Sequence, residues 1–265
     1  MTRFLIVLIF AGLVFFSGCS TPPETTKTES TAALQPALAT TVRMACLDLA
    51  KYGKRIEKKD VERFAAALKQ EQIEILAVQG ITRYPNVKTR IDFVSELASR
   101  SDMRHVFGES TDIMGRQTGN AVFSVYPIRS NQKKEFDVPS AFSEYALHVA
   151  IDAGLRDVAI VSTWFPANAP PEDISKCVRT INDLRPTPET PFIVSGNLPG
   201  LKQTRNAEIY TDVQLSLPEG SAKQISSRLW YSQKDLFKLI QARTVKTELG
   251  TLTVADFGMF QRAQK

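Results

Sequence analysis

Five short runs in this chain, apolar for most of their length, read as strand ends whose last residues are the ones that could hold a metal and a phosphate. Those residues decide what chemistry is open to it. Met44–Leu47 leads into Asp48, Leu76–Gln79 into Gly80, Val161–Thr163 into Trp164, Val194–Gly196 into Asn197, and Val254–Ala255 into Asp256. Carboxylates and amides at buried strand ends are the groups that hold a hard cation. Mg²⁺ needs near-octahedral oxygen ligation, usually from one or two carboxylates with water and phosphate. Here the set is thin. Asp48, Asn197 and Asp256 form a loose oxygen cluster for Mg²⁺ or Mn²⁺ only if the fold brings them together; otherwise they are capping and turn residues. Gly80 offers backbone alone.

Histidine and cysteine add little. Both histidines, His105 and His148, fall in strand-like runs away from these ends and read as structural. Cys46 lies in a strand-like run and Cys177 in a helix-like one, so both read as small core residues rather than a bridge. Neither has a local setting that suggests a reactive thiolate.

The N-terminus has a different character. Met1-Thr2-Arg3 precedes a continuous apolar run, Phe4–Phe16, which is shorter than the roughly 20 residues of a spanning helix. It ends in Phe16-Ser17-Gly18-Cys19, and small residues before a cysteine resemble the lipobox of bacterial lipoproteins. That resemblance implies a signal peptide over 1–18, palmitate-type acylation at Cys19 and, for a Gram-negative cell, Ser20 as an outer-membrane-directed residue. Two or more acyl chains, at ~0.8 kcal/mol per buried methylene, anchor stably. The alternative is a conventional signal peptide or anchor with an incidental cysteine. Residues 19–41, rich in Thr, Pro, Ala and Ser, form a tether with a reach of about 25 Å. A single domain over 42–265 follows. The net charge of +5 gives weak support for nucleic-acid contact, and nucleic acid is not expected as a partner.

The elements that must position the strand ends alternate along this domain. Strands are expected at Val42–Leu49, Glu74–Gln79, Met103–Phe107, Asn120–Ser124, Ile128–Phe136, Tyr145–Ala153, Val158–Phe165 and Phe192–Ser195. Further strands are expected at Gln224–Tyr231, Leu239–Thr247 and Thr251–Phe257. Asp60 is placed to cap a helix carrying Val61, Phe64, Ala65 and Leu68 on one face. Helices are also expected over Arg90–Ser99, with a stripe of Ile91, Val94 and Leu97, and from Pro170-Pro171 to Leu184. So many strands with interleaved helices imply a layered α/β or α+β domain with two sheets.

Taken in order, the motifs resemble the endonuclease/exonuclease/phosphatase superfamily. The best-kept segment is Gly119-Asn120-Ala121-Val122-Phe123-Ser124-Val125-Tyr126-Pro127-Ile128, similar to that family's "GNAILSRYPI". The resemblance implies a four-layer α/β/β/α sandwich, two mixed sheets flanked by helices. It also implies what is missing. Asp48 stands where the family has Asn, Gly80 where "ALQE" supplies the metal-binding Glu, and Trp164 where "NTHL" supplies His. Asn197 and Pro199 replace the Asp and Asn of "GDFN". Asp256 is kept from "SDH" but Phe257 replaces its His, and Arg228-Leu229-Trp230-Tyr231 loosely resembles "IDYI".

Such losses remove the water-activating groups, whose contribution is about 10²–10⁴-fold, and an electrostatic donor worth about 10²–10³-fold. No catalytic residue and no resident cofactor are therefore expected. Trp164, Trp230 and Phe257 would turn a charged pocket into an aromatic one, either plugged or left as an apolar groove. Three readings follow: a membrane-anchored, non-catalytic binding or scaffold module of the bacterial envelope, its partner an unknown envelope protein or ligand; a phosphoesterase with a metal site rebuilt around Asp48 and Asp256; or a ligand-binding protein using an aromatic groove.

Overall fold

The computed structural model describes residues 37–50, 52–53, 55–85, 90–138, 145–165, 169–197, 210–219, 227–232 and 236–261. Two mixed six-stranded sheets lie face to face with helices outside them. The first contains β1 (Ala37–Asp48), β2 (Ile75–Arg83), β3 (Arg104–Ile113), β4 (Arg116–Ser124), β11 (Phe237–Thr247) and β12 (Gly250–Gln261), ordered β11-β12-β1-β2-β4-β3. The second contains β5 (Ile128–Glu135), β6 (Tyr145–Asp152), β7 (Asp157–Trp164), β8 (Phe192–Asn197), β9 (Thr211–Asp212) and β10 (Arg228–Tyr231), ordered β5-β6-β7-β8-β10-β9. β1–β2 and β7–β8 pair in parallel, so the C-terminal ends of both central pairs can form one rim.

The helices cover the outer faces. α1 (Lys58–Gln70) lays Val61, Phe64, Ala65 and Leu68 against Ala45, Leu47, Leu76 and Val78 of the first sheet. α2 (Phe93–Ser101) adds Val94 and Leu97 to the same layer. Each such side chain gains about 1.5–3 kcal/mol on burial. α3 (Pro171–Asp183) places Ile174, Cys177, Val178 and Ile181 on the outer face of the second sheet. A third apolar layer fills the space between the sheets, with Met44, Cys46, Ile75 and Ala77 facing Leu147, Ile160 and Ile193. Central strands buried on both sides read as near-continuous apolar runs, which is why they stand out in the sequence.

Several boundaries differ from expectation. β1 starts at Ala37 rather than Val42, because Ala37 and Leu38 pair with Gln261 and Phe260 of β12. Asp60 is not the cap residue of α1: Glu57 holds that position, and Asp60, three residues in, accepts a hydrogen bond from the Glu57 N–H at 2.9 Å. The result is a reciprocal capping arrangement in which the acid sits inside the first turn. α2 starts at Phe93 rather than Arg90, after Asp92. The short β9 and the 3₁₀ turn at Val213–Ser216 carry too little apolar sequence to be foreseen. Cys46 and Cys177 are not joined in a disulfide and are buried in different layers.

Candidate functional site

The rim forms where the parallel pairs end. Asp48 lies opposite Gln79 at the end of β1–β2, and Trp164 lies opposite Asn197 at the end of β7–β8. Immediately beneath, Gln79 spans the gap between the sheets. Its Nε2 donates to Ser162 Oγ at 2.8 Å and Ser195 Oγ at 3.1 Å, while Ser227 Oγ donates to Gln79 Oε1 at 2.6 Å. All four side chains are buried. A buried amide satisfied on both of its atoms rigidifies the junction rather than waiting for a ligand. Cys46 lies in the same layer, and burial pushes its thiol up to about 11, against the lowering pull of Ser227, Ser195 and Thr253. It is a core residue, not a nucleophile.

Gly80 marks the break in β2. Its φ is +65°, and the pairing with β4 shifts register between Val78 and Ile81. A Cβ built at Gly80 would stand 2.5 Å from both the backbone N and the Cβ of Ala50. The β1–α1 connection therefore occupies the space any side chain at position 80 would need. The surrounding polar groups hold this arrangement. Asp48 Oδ1 accepts from the Ala50 N–H at 2.8 Å, and Asn120 Oδ1 accepts from the Gly80 N–H at 3.2 Å. The Asn120 N–H donates to the Tyr145 hydroxyl at 2.8 Å, which donates in turn to the Gly108 carbonyl. Burial raises the Tyr145 hydroxyl well above its ordinary pKa, so it stays a donor.

Three expected rim residues lie elsewhere. Asp256 pairs with Arg43 in the β1–β12 ladder, toward the opposite end of β1 from Asp48. The separation along the strand is roughly 16 Å, so the two carboxylates do not share an ion. Asp256 instead takes a two-pronged hydrogen bond from Arg43, with Nε at 2.6 Å and Nη2 at 3.0 Å. Phe257 faces the core between the sheets, stacked on Phe237 at 5.1 Å and edge-on to Tyr231 at 5.3 Å. Trp230 pairs with Val194 and points into the α3 layer. The turn between β11 and β12 is what reaches the rim, and Leu249 there is buried with Leu47 and Leu49. Pro199 and Cys19 lie outside the described residues.

Trp164 neither fills the rim nor leaves it purely polar. It borders an open cleft of about 400 Å³, with Tyr145 and Ile113 as further apolar walls and Thr82, Thr118 and Asn120 as polar ones. Its indole N–H is buried and has no hydrogen-bond partner among the described residues. A second hollow of about 220 Å³ adjoins it, sharing Gly80, Thr82 and Arg116. The histidines are remote from both. His148 sits in β6 opposite Val161, and His105 packs on the Phe123 ring; burial lowers both pKa values. Among the described residues, no group of three or more His, Cys, Asp or Glu could hold a metal ion.

Two mixed sheets between helices, with strand ends meeting at a cleft, define an α/β sandwich of a known kind: the fold is that of the endonuclease/exonuclease/phosphatase superfamily. An endonuclease/exonuclease/phosphatase from Beutenbergia cavernae superimposes with a TM-score of 0.67 at 17% identity, covering 84% of this chain and 72% of that one. The corresponding protein from Bacteroides vulgatus gives 0.63 at 10% identity, covering 83% and 100%. The human Nocturnin catalytic domain gives 0.59 at 13% identity, covering 83% and 95%. In sequence, no family model and no curated protein matches the chain.

Proposed function

We propose that the chain is a membrane-anchored lipoprotein whose endonuclease/exonuclease/phosphatase-like domain binds rather than hydrolyses. The observation that carries this reading is Gly80. The position that would offer a metal-binding carboxylate has no side chain, and the Ala50 backbone occupies the room for one. Asp48 and Asn120, the polar residues beside it, are engaged with backbone N–H groups. Acylation at Cys19 would hold the domain at the bacterial envelope, in the outer membrane where the cell is Gram-negative. Isothermal titration of the full-length chain with Mg²⁺ and Mn²⁺, beside phosphodiesterase and phosphomonoesterase assays, tests the catalytic half. Neither metal binding nor turnover is expected. Metal-dependent turnover that Asp48→Ala abolishes would replace this reading with a rebuilt hydrolase.

The open cleft at Trp164 favours a ligand over a purely structural scaffold. Its walls mix aromatic, hydroxyl and amide groups, and a volume of about 400 Å³ lies within the usual range for small-molecule sites.

A further inference from the structure

We infer that the cleft and its neighbouring hollow form one groove for an anionic sugar, a carbohydrate bearing a phosphate or carboxylate at one end. This rests on the non-catalytic reading above and gives it a ligand class.

Residues of β4 supply the axis. Arg116, Thr118 and Asn120 recur with the strand's period of two and so share one face, spanning roughly 13 Å, and all three line the cleft. Ile113 pairs directly with Arg116 across the β3–β4 hairpin, and Thr82 with Thr118 across β2–β4. The groove thus grades along its length. One end is cationic, the middle carries hydroxyls and an amide, and the far end is walled by Tyr145 and Trp164.

The cationic end is built from three separate segments. Arg55 comes from the β1–α1 connection, Arg90 from the β2–α2 connection and Arg116 from the start of β4, and all three line the smaller hollow. The Arg90 guanidinium lies 5.3 Å from the Tyr84 ring centroid, which positions it without neutralising it. Neither Arg90 nor Arg116 makes an ion pair among the described residues, and none of the described lining residues of either hollow is acidic. A planar guanidinium fork matches a phosphate or carboxylate in two-pronged geometry. Aromatic walls beside hydroxyl and amide groups suit a sugar ring, which has an apolar face and a polar rim. The recognition needs no metal, because arginine supplies the positive charge.

The test is titration of the full-length chain, in detergent and with EDTA present, against glucose 6-phosphate, glucuronate and neutral glucose. Heat and tryptophan fluorescence are both read, and parallel glucose 6-phosphate samples with Mg²⁺ in place of EDTA are assayed for released inorganic phosphate. Both anions should bind at least about tenfold more tightly than glucose, and Arg90→Gln and Arg116→Gln should each weaken them about tenfold. Trp164→Phe should remove the fluorescence change while leaving circular dichroism unaltered. Equal binding of glucose, indifference to both arginine substitutions, or no binding of either anion by the folded chain would overturn the inference and leave the non-catalytic reading intact. Phosphate release in the Mg²⁺ samples would overturn the non-catalytic reading, and with it the assignment of the groove to a ligand rather than a substrate.

Discussion

The two ends of the first sheet use polar residues in opposite ways. At the far end, Asp256 is clamped by Arg43, Arg243 reaches both Asp256 and Glu71, and Glu74 accepts from the Arg43 N–H and the Tyr126 hydroxyl. At the rim, the corresponding groups are neutral or tied to backbone: Gln79, Gly80, Asn120, and Asp48 folded onto the Ala50 N–H. Carboxylates are concentrated where they join strands and sparse where a metal-dependent hydrolysis would need them. Working active sites generally carry polar groups at some expense to stability, so their replacement often stabilises a protein. A rim whose polar groups hold the fold together should behave the other way.

The strongest way to break this contrast is Gln79→Leu. Three buried hydroxyls, on Ser162, Ser195 and Ser227, would lose their shared partner. At about 1 kcal/mol per bond, with a further penalty for stranded donors, the loss should reach about 4 kcal/mol. Urea denaturation reads it directly. An unchanged midpoint would mean that the rim is not structural and that the contrast between the two ends is false.

Gly80→Glu sharpens the same point by placing a carboxylate where the motif resemblance expects one. The left-handed backbone and the 2.5 Å approach to Ala50 make any side chain there strained. A cost of about 3 kcal/mol is expected, with no gain in metal-dependent turnover. Activity appearing in this variant would show that the β1–α1 connection yields easily and that one substitution separates the protein from catalysis.

Much of the fold was legible because the central strands are buried on both faces and stand out as apolar runs. The rim was legible only in part, and for a physical reason. Asp48, Gly80, Asn120, Trp164 and Asn197 end or border runs whose limits the sequence marks, and the fold gathers them. Asp256 and Phe257 lie inside a long strand that runs on through Gly258, so the glycine after them marks no strand end and nothing local set their register. The useful mark was Gly250, where Thr247 pairs across the turn and brings Leu249 to the rim. The Gln79 junction and the arginine end of the groove were invisible for another reason. Each is assembled from single residues on separate segments, and a lone serine or arginine carries no periodicity.

The smallest effect should come from the far end. Asp256→Asn keeps the shape of the side chain but removes its charge, leaving Arg43 and Arg243 facing a neutral amide. The Arg43 guanidinium is raised above its ordinary pKa chiefly by its hydrogen bond to Asp256, so the pair is coupled, yet both partners remain partly open to solvent. Solvent screening limits what such a pair contributes, and the Asn oxygen can still accept one of the two bonds. A loss of about 1–2 kcal/mol is expected, shrinking in high salt, with ligand binding at the groove unchanged. The salt response is the informative part. Gln79→Leu should be indifferent to ionic strength because no charge is involved, whereas Asp256→Asn should approach the parent protein as salt rises. If both variants responded alike, the division between a charged end that joins strands and a neutral Gln79 junction that seals the sheets would have no energetic basis.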